Sequence, residues 1–197
     1  AFSWESIVGE YARVFRETRD PVRKRIILAT GLFPPEIGGP ATYAKLLRDQ
    51  LPSDRWDIRV LPFRAVRNLP KIIRHAAYCG KIIGRLRNSC MILALDPVSV
   101  GLPAALAAWI ARKPLVLKIV GDYAWEQGQQ RFGVREFLDD FLARRYGWRV
   151  EMLRAIQKWS AARAKRIIVP SEYLKRVVCQ WGIAPEKISV IYNAFEV

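Results

Sequence analysis

Three stretches of the chain carry residue types suited to anionic or hydroxyl-bearing ligands. The first is Thr30-Gly31-Leu32-Phe33-Pro34-Pro35-Glu36-Ile37-Gly38-Gly39-Pro40. Gly38 and Gly39 let backbone N–H groups approach a ligand closely. Pro40 is pre-organised for the first position of a helix, whose N-terminus presents a positive end. This is a phosphate-binding arrangement, although it is neither G-x-G-x-x-G nor a P-loop, since no Gly-Lys-Ser/Thr follows. The same glycines serve equally well in a plain turn. The second stretch is Val120-Gly121-Asp122-Tyr123-Ala124-Trp125-Glu126. Asp122 is its candidate catalytic carboxylate and Glu126 a candidate partner for substrate hydroxyls, with the aromatics placed to stack on a sugar ring. The competing assignment makes Asp122 a turn or cap residue and Trp125 a core anchor. Just upstream, Lys118 either offsets ligand charge or snorkels to the surface. The third stretch is Asp96-Pro97-Val98-Ser99, an acid and a proline at a strand end, which reads best as a helix cap.

Other chemistries are excluded by what the chain lacks. Its one histidine, His75, falls mid-helix and leaves no room for a Ser-His-Asp or Cys-His arrangement or a His-rich metal site. Cys79, Cys90 and Cys179 are far apart, odd in number and form no C-x-x-C, which argues against a disulfide framework or zinc and for a reducing compartment. The expectation is therefore no metal and no bound cofactor.

Charge is the unusual property: 33 Lys and Arg against 18 Asp and Glu give +15. Between Leu61 and Cys90 the chain carries Arg64, Arg67, Lys71, Arg74, Lys81, Arg85 and Arg87 and no acid. Arg67, Lys71 and Arg74 are the candidate contacts to an anion or an anionic membrane surface, set against a merely solvated helix face. No RNA- or DNA-binding motif accompanies the charge, so a specific nucleic-acid partner is not expected. No signal peptide is visible, and the apolar run from Cys90 to Ile110 is interrupted by Asp96-Pro97 and Pro103. A cytoplasmic protein, with peripheral contact at the inner membrane face, is the expectation.

The elements that position these residues follow from periodicity. Large apolar side chains at Trp4, Ile7, Val8, Tyr11, Val14 and Phe15 predict an amphipathic helix over 4–17, ended by Asp20-Pro21. Strands are predicted at 24–30, 57–61, 90–95, 114–120, 166–169 and 188–191. Helices are predicted at 40–51, 69–87, 98–112, 134–144, 146–164 and 171–181. The strands are continuously apolar and alternate with helices, the mark of an α/β fold with a Rossmann-like parallel sheet covered on both faces. In such a sheet ligands bind outside the carboxyl ends of the strands, where the three stretches fall.

FPPEIGGPATYAKLL after an apolar strand resembles the first loop and helix of glycosyltransferase family 4, the large retaining family of GT-B fold. KRIIVPSEYLKRVVCQWGIAPEKISVIYNAFE resembles its fifth strand, the helix after it and the run into the interdomain linker. The match spans about 24–196. It implies that Gly38 and Gly39 correspond to the glycine pair approaching donor phosphates or acceptor, and that Ser171 opens the helix after the fifth strand. Many members carry a catalytic histidine in the loop holding Gly121-Asp122, and here that role is unfilled or differently filled. The family's Asn-Gly-Val reads Asn193-Ala194-Phe195. AFSWESIVGEYARVFRE resembles the family's C-terminal crossover helix, here ahead of the first strand, as in a permuted or engineered chain.

The resemblance implies a docking helix over 1–20, an acceptor-side domain over 24–193 and the start of an interdomain linker at 194–197. It also implies a missing partner, a C-terminal domain carrying the nucleotide-sugar site and a Glu-x7-Glu motif. The expected function is the acceptor-binding half of a retaining, metal-independent, nucleotide-sugar-dependent glycosyltransferase, inactive alone, with a lipid- or phosphate-linked acceptor. An inactive half-domain scaffold and a nonspecific nucleic-acid or membrane-surface binder are the alternatives.

Overall fold

The structure is a computed structural model that describes residues 3–18 and 24–193. The predicted joint over 18–24 and the linker start at 194–197 fall largely outside them. Chain order is α1 (Trp4–Thr18), β1 (Lys24–Thr30), α2 (Gly39–Gln50), β2 (Trp56–Pro62), α3 (Lys71–Leu86), β3 (Met91–Ala94), α4 (Gly101–Ala111), β4 (Leu115–Lys118), α5 (Tyr123–Arg131), α6 (Leu138–Ala143), α7 (Trp148–Arg163), β5 (Arg166–Val169), α8 (Glu172–Gln180) and β6 (Ile188–Val190). A short 3-10 turn, Phe63–Val66, precedes α3. All neighbouring strands are parallel, in the order β2-β1-β3-β4-β5-β6. The sheet is therefore doubly wound, with its switch point between β1 and β3.

Strand side chains alternate between two cores, as a pleat of period two requires. Ile27, Ala29, Ile92, Leu117, Ile167 and Val169 face one side, beneath α3, α4, α7 and α8. Ile26, Leu28, Met91, Leu93, Val116 and Ile168 face the other, where Ile7, Tyr11, Val14 and Phe15 of α1 and Ala44 and Leu47 of α2 cover them. The period of α1 produces this cover directly: the apolar positions named from the sequence are its packed side. The Tyr11 and Tyr43 hydroxyls hydrogen-bond at 2.6 Å. Glu17 reaches Arg166 at 3.2 Å, tying the end of α1 to β5.

The structure departs from the sequence reading at several helix starts, and the helix predicted at 134–144 is only Leu138–Ala143. Residues 123–131 are helical, where a loop was expected, because Asp122 caps them. The basic helix begins at Lys71 and not at 69, with Pro70 as its N-cap, so Arg67 is not on that helix. The helix after β3 begins at Gly101 and not at 98, since Asp96 Oδ1 first accepts the N–H groups of Val98 (2.8 Å), Ser99 (2.5 Å) and Val100 (3.3 Å). Gly101 is needed there: a Cβ would stand 2.3 Å from the Asp96 carbonyl oxygen.

Candidate functional site

The loop from β1 to α2 is held by Glu36, whose part the sequence reading passed over. Glu36 accepts from Phe33 N–H at 3.1 Å through one oxygen and pairs with Arg67 at 2.5 Å through the other. This gives Arg67, expected at a membrane or anion contact, a carboxylate partner. Gly38 takes φ of 145°, a conformation L side chains rarely adopt, and its carbonyl accepts from Ala41 and Thr42 as α2 starts. No side chain caps α2, so its N-terminus keeps its positive end for a ligand.

Beside that N-terminus lies a hollow of about 530 Å³, lined by Trp4, Gly39, Tyr43, Leu95, Lys118 and Asn193 among others. Lys118, at the end of β4, does not snorkel. It is 2% exposed, donates to Asn193 Oδ1 at 2.9 Å, and sits 3.4 Å from the centroid of the Tyr43 ring. Burial without a carboxylate partner pushes its pKa down to about 7. Sequence reasoning missed Tyr43 and Asn193; only folding brings them to Lys118.

Asp122 is buried, and its Oδ1 accepts from Trp125 N–H at 3.0 Å and from Gln157 Nε2 at 3.1 Å. That is the capping arrangement. Its Oδ2 is buried with no hydrogen-bond partner. Trp125 donates from Nε1 to the Glu136 carbonyl at 2.9 Å, which anchors it in the small core beneath α5 and α6 and takes it out of any stacking role. Glu126 folds back over Gly121, where a Cβ would meet its carboxylate oxygen at 2.1 Å. Burial raises the pKa of Glu126, with the Asp122 and Asp96 carboxylates adding to it. Ser171 caps α8 as read, accepting from Leu174 N–H at 3.1 Å, whereas Asp96 does not cap α4: its carboxylate closes the turn over Val98, Ser99 and Val100, and the helix starts behind that turn with Val100 as an N-cap that makes no side-chain bond.

A second and larger hollow, about 970 Å³, opens at the carboxyl ends of the strands on the other side of the sheet. Gly31 and Leu32 after β1, Val98 and Ser99 after β3, and Tyr123 after β4 form its floor. Arg74 lies over Phe63, 5.5 Å from the ring centroid, and His75 packs on the same ring at 5.2 Å. Burial lowers the His75 pKa, with the Arg74 charge adding to the effect. The side chain of Lys71, the third basic candidate, is outside the description. A third hollow, around Arg25, Arg59 and Arg85, lies by the edge strand β2. Arg25 and Arg59 are held there by Asp57 at 2.8 and 2.9 Å.

Among the described residues no group of His, Cys, Asp and Glu could hold a metal ion, and no helix is long and apolar enough to cross a membrane.

Among solved structures the fold is similar to a Listeria monocytogenes protein assigned as a UDP-N-acetylglucosamine 2-epimerase (13% identity, TM-score 0.58, covering 85% of this chain and 44% of that one). It is also similar to the UDP-GlcNAc 2-epimerase of Neisseria meningitidis bound to UDP-GlcNAc (12%, 0.56, 84% and 45%). A third similar structure is Anabaena HepE in complex with UDP and glucose (17%, 0.54, 88% and 45%). At these identities the likeness is one of fold, and this chain spans less than half the length of each. A search of curated proteins found no match. The family model for Glycosyltransferase Family 4 matches residues 37–197, the greater part of the chain. A six-stranded Rossmann-like sheet carrying that match places this chain in glycosyltransferase family 4, as a GT-B-like domain.

Proposed function

We propose that this chain is the acceptor-binding half of a nucleotide-sugar-dependent glycosyltransferase that retains anomeric configuration, needs no metal ion, and does not turn over alone. The observation that carries the reading is the row of polar groups and hollows along one edge of a six-stranded parallel sheet. The α2 N-terminus, Lys118 and the 970 Å³ hollow all lie at the strands' carboxyl ends. They make one wall. Sugar transfer brings together a donor diphosphate and an acceptor, and a second domain gripping the donor would supply the other wall. The fold neighbours with UDP or UDP-GlcNAc in their names support a nucleotide-sugar as co-substrate.

In this reading the α2 N-terminus and the Lys118 ammonium face negative charge developing on the departing diphosphate, the kind of pre-organised stabilisation that most lowers a barrier. Asp122 caps α5 and so holds Tyr123, which lines the 970 Å³ hollow, in place. We read α1 as the family's crossover helix moved to the front, which its packed apolar side supports.

The test is calorimetry with nucleotide-sugars, on the chain alone and on a chain extended by a second Rossmann-like domain. The chain alone should bind donors weakly and release no sugar. The extended protein should turn donors over, and proton NMR should show product with the donor's anomeric configuration. Tight binding with turnover by the 197-residue chain would overturn the half-enzyme reading. An inverted product would overturn retention.

A further inference from the structure

The 970 Å³ hollow is lined by two chemically distinct kinds of side chain. Arg67, Arg74, Arg131 and Arg149 line it, and no Asp or Glu does. Arg67 is paired with Glu36, but Arg74, Arg131 and Arg149 have no carboxylate within ion-pair distance among the described residues. The Nε of Arg74 is buried without a hydrogen-bond partner. An unmatched guanidinium N–H in a half-buried position costs free energy unless an acceptor meets it. The rest of the lining is largely apolar and in part open: Trp148 is 70% exposed and Met152 47%, and Phe132, Leu102, Leu153 and Ile156 line the hollow with them. Arg149 lies 5.4 Å from the Trp148 ring centroid and 6.0 Å from that of Phe132, so charged and apolar lining meet there.

Trp148, Phe132 and Met152 together present more apolar surface than a free phosphate uses, and the unmatched arginines bring more charge than a neutral lipid or a bare sugar uses. We propose that this hollow binds a single anionic amphiphile, with its phosphate or carboxylate head at Arg74 and Arg131 and its apolar tail along Trp148 and Met152. The proposal rests on the acceptor-side reading, since it names the chemical class of the acceptor. Binding itself does not depend on turnover. The volume is within the range of about 300–1,000 Å³ usual for small-molecule sites. Two outward-facing groups, the Arg131 guanidinium and the Trp148 ring, are exposed enough to be removed without disturbing the core.

Dodecyl phosphate below its micelle concentration is the probe, read by tryptophan fluorescence and by calorimetry. Butyl phosphate supplies the head without the tail, dodecyl maltoside the tail without the charge, and vesicles with about one-third anionic lipid the same headgroup in a surface. Dodecyl phosphate should saturate one site, with butyl phosphate and dodecyl maltoside each about tenfold weaker or worse. Arg74→Gln, Arg131→Gln and Trp148→Ala should each weaken dodecyl phosphate by about three- to tenfold, as loss of an anchoring contact does, with folding checked by circular dichroism. Butyl phosphate binding as tightly as dodecyl phosphate would overturn the proposal, as would unchanged affinity in Arg131→Gln and Trp148→Ala. Binding to vesicles without binding to the monomeric probe would overturn it too, in favour of a membrane surface. If the extended protein fails to transfer sugar while the probe binds as described, the enzyme reading falls and the site stands.

Discussion

Lys118 shows how far a residue's type can be from its environment. From sequence it was either a ligand-facing cation or a snorkelling one, since a lysine closing a strand has both options. In the fold it is nearly inaccessible, and its neighbours are Tyr43 from α2, Tyr11 from α1 and Asn193 beyond β6, none near it in sequence. No local pattern could reveal that. The consequence is measurable. Its folded-state pKa lies near 7, against 10.5 for an ordinary lysine. Between those values the unfolded chain holds more protons than the folded one, so stability rises with pH across that window, by at most about 1.4 kcal/mol per pH unit, and the cost of burial is felt in full below it. Lys118→Met should be more stable than the parent at pH 6, with the advantage shrinking toward pH 10. Urea unfolding of both proteins at several pH values reads this directly. Curves that stay parallel would mean that Tyr43 and Asn193 offset the burial of the charge.

At the scale of elements, the legible ones were those whose amphipathic period or β-branched run survives in isolation. The α1 helix was found because Ile7, Tyr11, Val14 and Phe15 repeat at helical spacing, and the same four are its packed face. The inner strands were found because their middles are apolar runs buried on both faces, as at 26–29, 91–94 and 167–169, while the edge strand β2 carries Asp57 and Arg59. The α5 helix was not found. YAWEQGQQR has little apolar periodicity, and its helix depends on the Asp122 cap, the Gln157 side chain accepting from Ala124 N–H at 3.0 Å, and Gly128 fitting against Val134. These are tertiary contacts overriding weak propensity. Of the loops, the turns at Gly38-Gly39 and at Asp96 were legible from local pattern, and the large hollow was not, because its lining comes from α3, α5 and α7. The α1 packing gives a prediction at this scale. Tyr11 is fully buried and meets Phe15 edge-on at 5.8 Å. Tyr11→Ala should cost about 3–5 kcal/mol, a large share of a domain's stability. Tyr11→Phe, losing only the bond to Tyr43, should cost about 1 kcal/mol. A melting point within a few degrees of the parent in Tyr11→Ala would mean that α1 lies on the sheet without stabilising it.

For the whole molecule the dominant quantity is +15. Pairing removes little of it: Asp57 engages two arginines, while Arg74, Arg131 and Arg149 gather around one hollow without acids. Such a surface holds polyanions through counterion release, with no need of a recognition motif. The chain should therefore retard duplex DNA of any sequence at low salt. With four to six cations in contact, affinity should fall roughly 100- to 1,000-fold between about 50 and 200 mM salt. A scrambled duplex should behave identically, since no DNA-binding motif accompanies the charge. Dodecyl phosphate should behave differently. Its head meets few cations and its tail is held by Trp148 and Met152, and salt does not weaken apolar burial, so its affinity should drop only severalfold over the same range. Fluorescence titrations of both ligands across that salt series separate the two modes. Equal salt slopes would mean that the hollow is merely one more part of a basic surface.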